Sequence, residues 1–184
     1  MRQRRERRKS HRAVAPYWQG CLESAAQTLS VTISLSTDRC FPGQEVAVSL
    51  TIRLKQGWHV YGQPLPGNYQ PVALTFEGAI VGAQSLELPA PRPIQFPALG
   101  ETLPAYEGEM HATGLLRTRW SPPAEAKFLA GLFGQSAGPG LHQVKGTLRF
   151  QACSDSVCEP PTAIEFDLPL LIEAGVPPAP KEPA

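Results

Sequence analysis

Hydrophobic and polar residues alternate along two neighbouring segments near the start of the chain. In the first, every second residue from Leu29 to Leu35 is apolar, with serine or threonine between. In the second, every second residue from Val46 to Leu54 is apolar, and a Pro-Gly turn at residues 42–43 separates the two segments. A period of two is typical of strands with one buried face. The pattern therefore predicts two half-buried strands.

Shorter apolar and aromatic runs predict strands along the rest of the chain, at residues 58–61, 72–76, 79–88, 106–120, 143–151 and 162–172. Residues 89–97 contain four prolines, which remove donors from a strand, so they are predicted to form an extended surface loop. Residues 124–133 could form one or two helical turns. Short strands separated by turn signals, without helix-length crossovers, predict an antiparallel β-sandwich of immunoglobulin-like topology.

The composition agrees with an all-β domain. A chain of 184 residues accommodates one domain plus tails. Hydrophobic residues make up 42%, enough for a full core, while 20 prolines and 16 glycines indicate many turns. We expect the immunoglobulin-like domain to span residues 29–173. Residues 1–28 and 174–184 are predicted to be disordered tails, the first basic and the second rich in proline.

Seven basic residues crowd the first twelve positions: Arg2, Arg4, Arg5, Arg7, Arg8, Lys9 and Arg12. Such a run can bind nucleic acid, but it lacks interleaved aromatic residues, and we expect no nucleic-acid partner. As the start of a secretory signal it lacks a sustained apolar stretch, although residues 24–26 would serve as a cleavage site. We interpret residues 1–28 as a basic tail or a degenerate leader. No run approaches the roughly 20 apolar residues of a membrane span.

Two of the four cysteines, Cys153 and Cys158, lie close together in the segment QACSDSVCEPP. As a structural disulfide they would close a loop of about six residues, which stabilises a fold by roughly 2 kcal/mol. Tetrahedral zinc needs four ligands at recognisable spacing, whereas Cys21 and Cys40 are isolated and the histidines form no paired motif. We therefore expect neither a metal nor another cofactor. Cys40 is predicted to be a small buried hydrophobic residue.

A redox pair is the third role open to these two cysteines. It needs one sulfur that a partner can attack and a second that resolves the mixed disulfide, and the end of a strand can make both sulfurs accessible. Asp155 and Glu159 flank the pair, and nearby carboxylates disfavour a reactive thiolate. A redox pair here would be a passive relay that reacts with a docked partner. The residues alone leave the structural disulfide and the relay open.

The cysteine segment resembles a recurrent segment of the N-terminal periplasmic domain of DsbD, a transmembrane thiol:disulfide interchange reductase. The matching residues are Phe150, Gln151, Ala152, Cys153, Asp155, Cys158, Pro160 and Pro161. Two further motifs are similar to that family: the aromatic strand GWHVY at residues 57–61, and the proline-rich loop followed by YEGE at residues 106–109. In order and spacing, the resemblance covers roughly residues 29–171.

The resemblance implies a protein-disulfide reductase domain in the periplasm or another extracytoplasmic compartment. Such a domain accepts electrons from a membrane-embedded donor. It passes them to thioredoxin-like proteins, such as disulfide isomerases and cytochrome c maturation factors. The alternative is a non-redox β-sandwich binding module with a structural disulfide.

The resemblance also implies roles for five residues. Cys153 and Cys158 would be the exchanging pair, with Cys158 forming the mixed disulfide and Cys153 resolving it. Phe96 corresponds to an aromatic cap, although Ile94 and Gln95 stand where the family loop is often acidic. Trp58 and Tyr61 correspond to aromatic residues near the pair, and core packing is the other role open to both.

Overall fold

The computed structural model describes residues 20–23, 28–119 and 138–175, and these residues form thirteen strands without a helix. None of them forms a helix able to cross a membrane. The helical turns suggested for residues 124–133 lie outside the described residues, as does most of both predicted tails. The strands are β1 (Gly20–Glu23), β2 (Leu29–Leu35), β3 (Arg39–Cys40), β4 (Glu45–Leu54), β5 (His59–Tyr61), β6 (Ala73–Glu77), β7 (Val81–Glu87), β8 (Arg92–Phe96), β9 (Glu101–Glu107), β10 (Glu109–Thr118), β11 (Gly140–Phe150), β12 (Ala152–Cys153) and β13 (Thr162–Ile172).

Two sheets enclose the main core. The first has the order β1-β2-β4-β10-β7 and the second the order β3-β13-β11-β6; only the short β3 runs parallel to its neighbour. In β4, β10 and β13, buried residues alternate with less buried ones, so each strand turns one face inward. Side chains from both sheets, such as Leu50 and Leu148, share one hydrophobic cluster. This arrangement is an immunoglobulin-like sandwich, as the sequence predicted.

The third sheet, in the order β12-β5-β9-β8, positions the cysteines. All three residues of β5 are buried. Val60 on its central position belongs to the main core, whereas Tyr61 belongs to a second, smaller cluster. Because adjacent residues of a strand point to opposite faces, this sheet is covered on both sides. The second cluster comprises Tyr61, Phe96, Leu103, Ala105 and Cys153.

The structure corrects the interpretation of three segments. Residues 92–96, predicted as loop, form β8 at the edge of the third sheet, where proline is tolerated because one side of the strand is unpaired. The run predicted at residues 106–120 belongs to two strands, β9 and β10, which are separated at Gly108, where the backbone adopts a φ of 68°. The predicted tail at residues 1–28 contains β1, which pairs with β2.

Gly146 of β11 offers a test of packing in the second sheet. It lies opposite Phe166 of β13, and a Cβ atom added to Gly146 would collide with the Phe166 ring. We expect Gly146→Ala to lower the free energy of unfolding by about 1–3 kcal/mol, because the ring must leave its position. Denaturant titration measures the change. Gly138→Ala is the control, since nothing lies within 4 Å of its added Cβ. An equal loss in both variants would contradict the packing argument.

Candidate functional site

Cys153 and Cys158 are joined by a disulfide across a tight hairpin, with their Cα atoms 4.0 Å apart. The turn between them closes on itself: the Ser154 amide donates to the Val157 carbonyl at 2.8 Å. In return, the Val157 amide donates to the Ser154 hydroxyl at 3.2 Å. Serine hydroxyls stabilise turns by such local bonds. The polar residues between the cysteines therefore close the turn that brings the two sulfurs together.

Hydrogen bonds on both sides anchor the base of this hairpin. The Glu159 amide donates to the Ala152 carbonyl at 2.8 Å. The side-chain amide of Gln151 donates to the Glu159 carbonyl at 3.1 Å and accepts from the Gln70 amide at 3.2 Å. Gln151 thus ties the cysteine hairpin to the loop before β6. Its place directly before β12 is visible in the sequence, but this bridging role is not.

The two cysteines differ in exposure. Cys153 is completely buried, whereas Cys158 is only partly buried, and its neighbour Val157 is 50% exposed. The expectation that both sulfurs are accessible is therefore wrong for Cys153. Cys153 lies within β12, which pairs with β5, and its side chain belongs to the second cluster. Cys158 follows the turn. Cys158 is the member of the pair that solvent reaches.

Tyr61 is the polar group closest to the disulfide among the described contacts. Its hydroxyl lies 2.9 Å from Cys153 Sγ and 3.6 Å from Cys158 Sγ. Burial raises the pKa of Tyr61 to about 12, and the nearby Tyr69 and Glu101 act in the same direction. The hydroxyl therefore stays protonated at neutral pH. It can donate a hydrogen bond to a sulfur atom.

Aromatic rings surround this contact. The Phe96 ring lies 5.4 Å from the Tyr61 ring and 5.5 Å, edge-on, from the His59 ring. The Tyr69 ring lies 5.1 Å from the Tyr61 ring. Phe96, proposed from the sequence as a cap, is itself buried in the same cluster as Cys153. Trp58 is placed differently, since it packs against the main core.

His59 was not singled out as a site residue in the sequence. Its backbone pairs with Cys153 on one side and with Glu107 on the other. The side chain is almost fully buried, and its Nε2 lies 3.6 Å from Glu107 Oε2. One signal could have revealed it: His59 stands two residues before Tyr61, so the period of a strand places both on one face.

The charged and metal-binding groups around the pair are few. Asp155 is exposed at the tip of the turn, and one buried carboxylate oxygen of Glu159 has no hydrogen-bond partner among the described residues. The part of the chain described here contains no group of three side chains able to hold a metal ion.

Cys40 is a buried free cysteine, as predicted, and burial raises the pKa of its thiol.

A groove of about 700 Å³ opens beside the site. Tyr69 and Leu103, which pack in or against the second cluster, form part of its wall. Gln151, at the base of the cysteine hairpin, and Pro161, just after it, form another part, and Glu101 adds a carboxylate. A partner segment lying in this groove would contact the hairpin and the aromatic cluster together.

The Tyr61 hydroxyl should set the reduction potential of the pair. The sulfur of reduced Cys153 accepts its hydrogen bond more strongly than a disulfide sulfur does. We expect Tyr61→Phe to lower the potential by about 10–30 mV, since such a bond contributes about 0.5–1.5 kcal/mol and 30 mV equals about 1.4 kcal/mol for two electrons. Equilibration with dithiothreitol buffers measures it.

Tyr69→Phe is the matched control for this measurement. It removes a hydroxyl from the same aromatic group, but that hydroxyl donates to Glu101 at 3.2 Å and not to a sulfur. Its potential should equal that of the wild type. Equal shifts in the two variants would show that general loosening of the cluster, and not the sulfur contact, sets the potential.

Comparisons with known proteins identify a shared fold and a family. Among solved structures, the N-terminal periplasmic domain of ScsB from Proteus mirabilis is similar, with a TM-score of 0.52. The two are 16% identical, and the match covers 83% of this chain and 50% of that one, which shows a shared fold. No curated protein sequence matches the chain. The family described as "Thiol:disulfide interchange protein DsbD, N-terminal" matches residues 31–170, from β2 to β13 and including both bonded cysteines. The chain therefore belongs to the DsbD N-terminal domain family.

Proposed function

We propose that this domain relays reducing equivalents through Cys153 and Cys158 to thioredoxin-like proteins in the periplasm or another extracytoplasmic compartment. The observation that carries the proposal is the unequal exposure of the disulfide, with Cys153 buried and Cys158 partly exposed. Thiol–disulfide exchange needs this division, because one sulfur must meet the partner while the other waits to resolve the mixed disulfide. Membership of the DsbD N-terminal family and the likeness to a periplasmic domain support it.

The relay has two exchange steps. In the reduced domain, the Cys158 thiolate attacks a partner disulfide, forms a mixed disulfide and releases the partner's other sulfur as a thiolate. Cys153 then attacks Cys158 Sγ, which restores the internal disulfide and releases the second partner sulfur. Two electrons pass to the partner. A membrane-embedded donor runs the same exchange in reverse and reduces the pair again.

The surroundings of the pair favour reaction with a docked partner over reaction with small oxidants. The Phe96 and Tyr61 rings cover the buried side, next to Cys153. On the other side, the exposed Asp155 stands in the turn between the two cysteines, and carboxylates close to a thiol disfavour its thiolate. A partner that covers the half-exposed Val157 and enters the adjoining groove would gain apolar contact while it brings its own disulfide to Cys158.

Single cysteine variants test the proposal by trapping. Cys153→Ser keeps the exposed nucleophile but removes the resolving sulfur, so we expect it to accumulate a mixed disulfide with an oxidised thioredoxin-like protein. Cys158→Ser is the matched control; it keeps only the buried sulfur and should trap little. Non-reducing electrophoresis and mass spectrometry detect the adduct. If neither variant traps a partner and both keep wild-type stability, the relay fails and the disulfide is a structural staple.

Phe96 is proposed as the cap of the pair, and its removal should uncover the disulfide. If Phe96→Ala lowers the free energy of the local opening that exposes the disulfide by about 1.4 kcal/mol, reduction by dithiothreitol should become about tenfold faster. Stopped-flow measurement of disulfide reduction follows the rate. Leu103→Ala is the control, because Leu103 is buried in the same cluster and both changes leave a cavity costing about 2–5 kcal/mol. Equal acceleration in both variants would mean that a loosened cluster, and not a lost cap, exposes the pair.

A further inference from the structure

Three residues form a row across the third sheet. Cys153 of β12 pairs with His59 of β5, and His59 pairs with Glu107 of β9. Residues directly opposite in antiparallel strands have Cβ atoms about 4.5–5.5 Å apart, on the same face of the sheet. His59 therefore lies between Cys153 and Glu107 in this row.

The two ring nitrogens of His59 have different surroundings. Nε2 lies 3.6 Å from Glu107 Oε2, and Glu107 is partly exposed. Nδ1 is buried and has no hydrogen-bond partner among the described residues. A buried polar nitrogen without a partner costs free energy, so such a group in a native protein calls for an explanation. When the disulfide is reduced, Cys153 becomes a thiol, which can donate a hydrogen bond to a ring nitrogen.

The resolving step of the relay requires a proton acceptor. Cys153 attacks as a thiolate, yet it is completely buried, so bulk water cannot take its proton. The Tyr61 hydroxyl touches Cys153 Sγ, but it holds its own proton and can only donate. Of the described groups facing His59, Glu107 and Cys153 are titratable, and β8 contributes the uncharged Phe96. His59 is thus the acceptor that the sheet places beside the sulfur.

We propose that His59 is the general base of the resolving step, an inference that rests on the proposed function. His59 takes the proton of the Cys153 thiol, and the sulfur's electron pair attacks Cys158 Sγ. The bond between Cys158 and the partner breaks, and the partner sulfur leaves as a thiolate. The new Cys153–Cys158 bond leaves the domain oxidised by two electrons and the partner reduced. Glu107 stabilises the imidazolium that forms, and in the reverse direction His59 returns the proton.

A small aromatic disulfide, 5,5′-dithiobis(2-nitrobenzoic acid), separates the two steps without a protein partner. Attack by Cys158 on this reagent releases one coloured thiolate, and resolution by Cys153 releases a second. We expect His59→Gln to slow the second phase about 100-fold, a typical contribution of general base catalysis, and to leave the first phase unchanged.

Two further variants keep the test decisive. Glu107→Gln changes an exposed side chain, so folding is preserved; without the carboxylate that stabilises the imidazolium, the second phase should slow while the first stays unchanged. His111→Gln is the matched control, because His111 also contacts a glutamate, at 3.0 Å, but is exposed on β10. It should leave both phases unchanged.

The outcomes separate this inference from the relay itself. A second phase with wild-type rate in His59→Gln, or in Glu107→Gln, overturns the role of His59 while the relay stands. Failure of the trapping experiment with Cys153→Ser overturns the relay on separate grounds, because that experiment requires only attack by Cys158.

Discussion

The pairing of β12 with β5 is the constraint on which the site depends. It is only two residues long, yet it sets Cys153 opposite His59 and brings its sulfur within 2.9 Å of the Tyr61 hydroxyl. Because both faces of β5 are buried, a shift by one residue would exchange Tyr61 with Val60 and move the hydroxyl into the main core. Burial on two sides therefore specifies the register that assembles the site.

The main core of the sandwich helps to hold this register. Val60 and Ala152 face the main core, so the two larger sheets hold the strands of the third sheet from one side. The second cluster, with the edge strand β8, covers the other side. The cysteine hairpin itself is tied by Gln151 to the loop before β6. A rigid framework thus carries Cys153, while Cys158 lies on the exposed side of the turn.

The difference in exposure between Cys153 and Cys158 fits a disulfide that reacts with a docked partner. The Cys153 sulfur is buried beside a hydroxyl donor and in a residue paired with His59, so it is shielded from solvent oxidants. The partly buried Cys158 follows the turn that contains the exposed Asp155 and the half-exposed Val157. In the proposed relay, contact with a partner would supply what the free domain lacks, namely exclusion of water and a positioned disulfide.

The sequence by itself determined several of the strands and the position of the cysteine pair. Alternation predicted residues 29–35 as the strand that the structure shows, because the period of two is a local property of the backbone. The family motif likewise identified both cysteines. The sequence could not show that Cys153 is buried, that Trp58 packs in the other core, or that β8 is an edge strand. These facts depend on contacts between distant segments: Tyr61 and Cys153 stand 92 positions apart, and only the pairing of β12, β5 and β9 brings them together with His59.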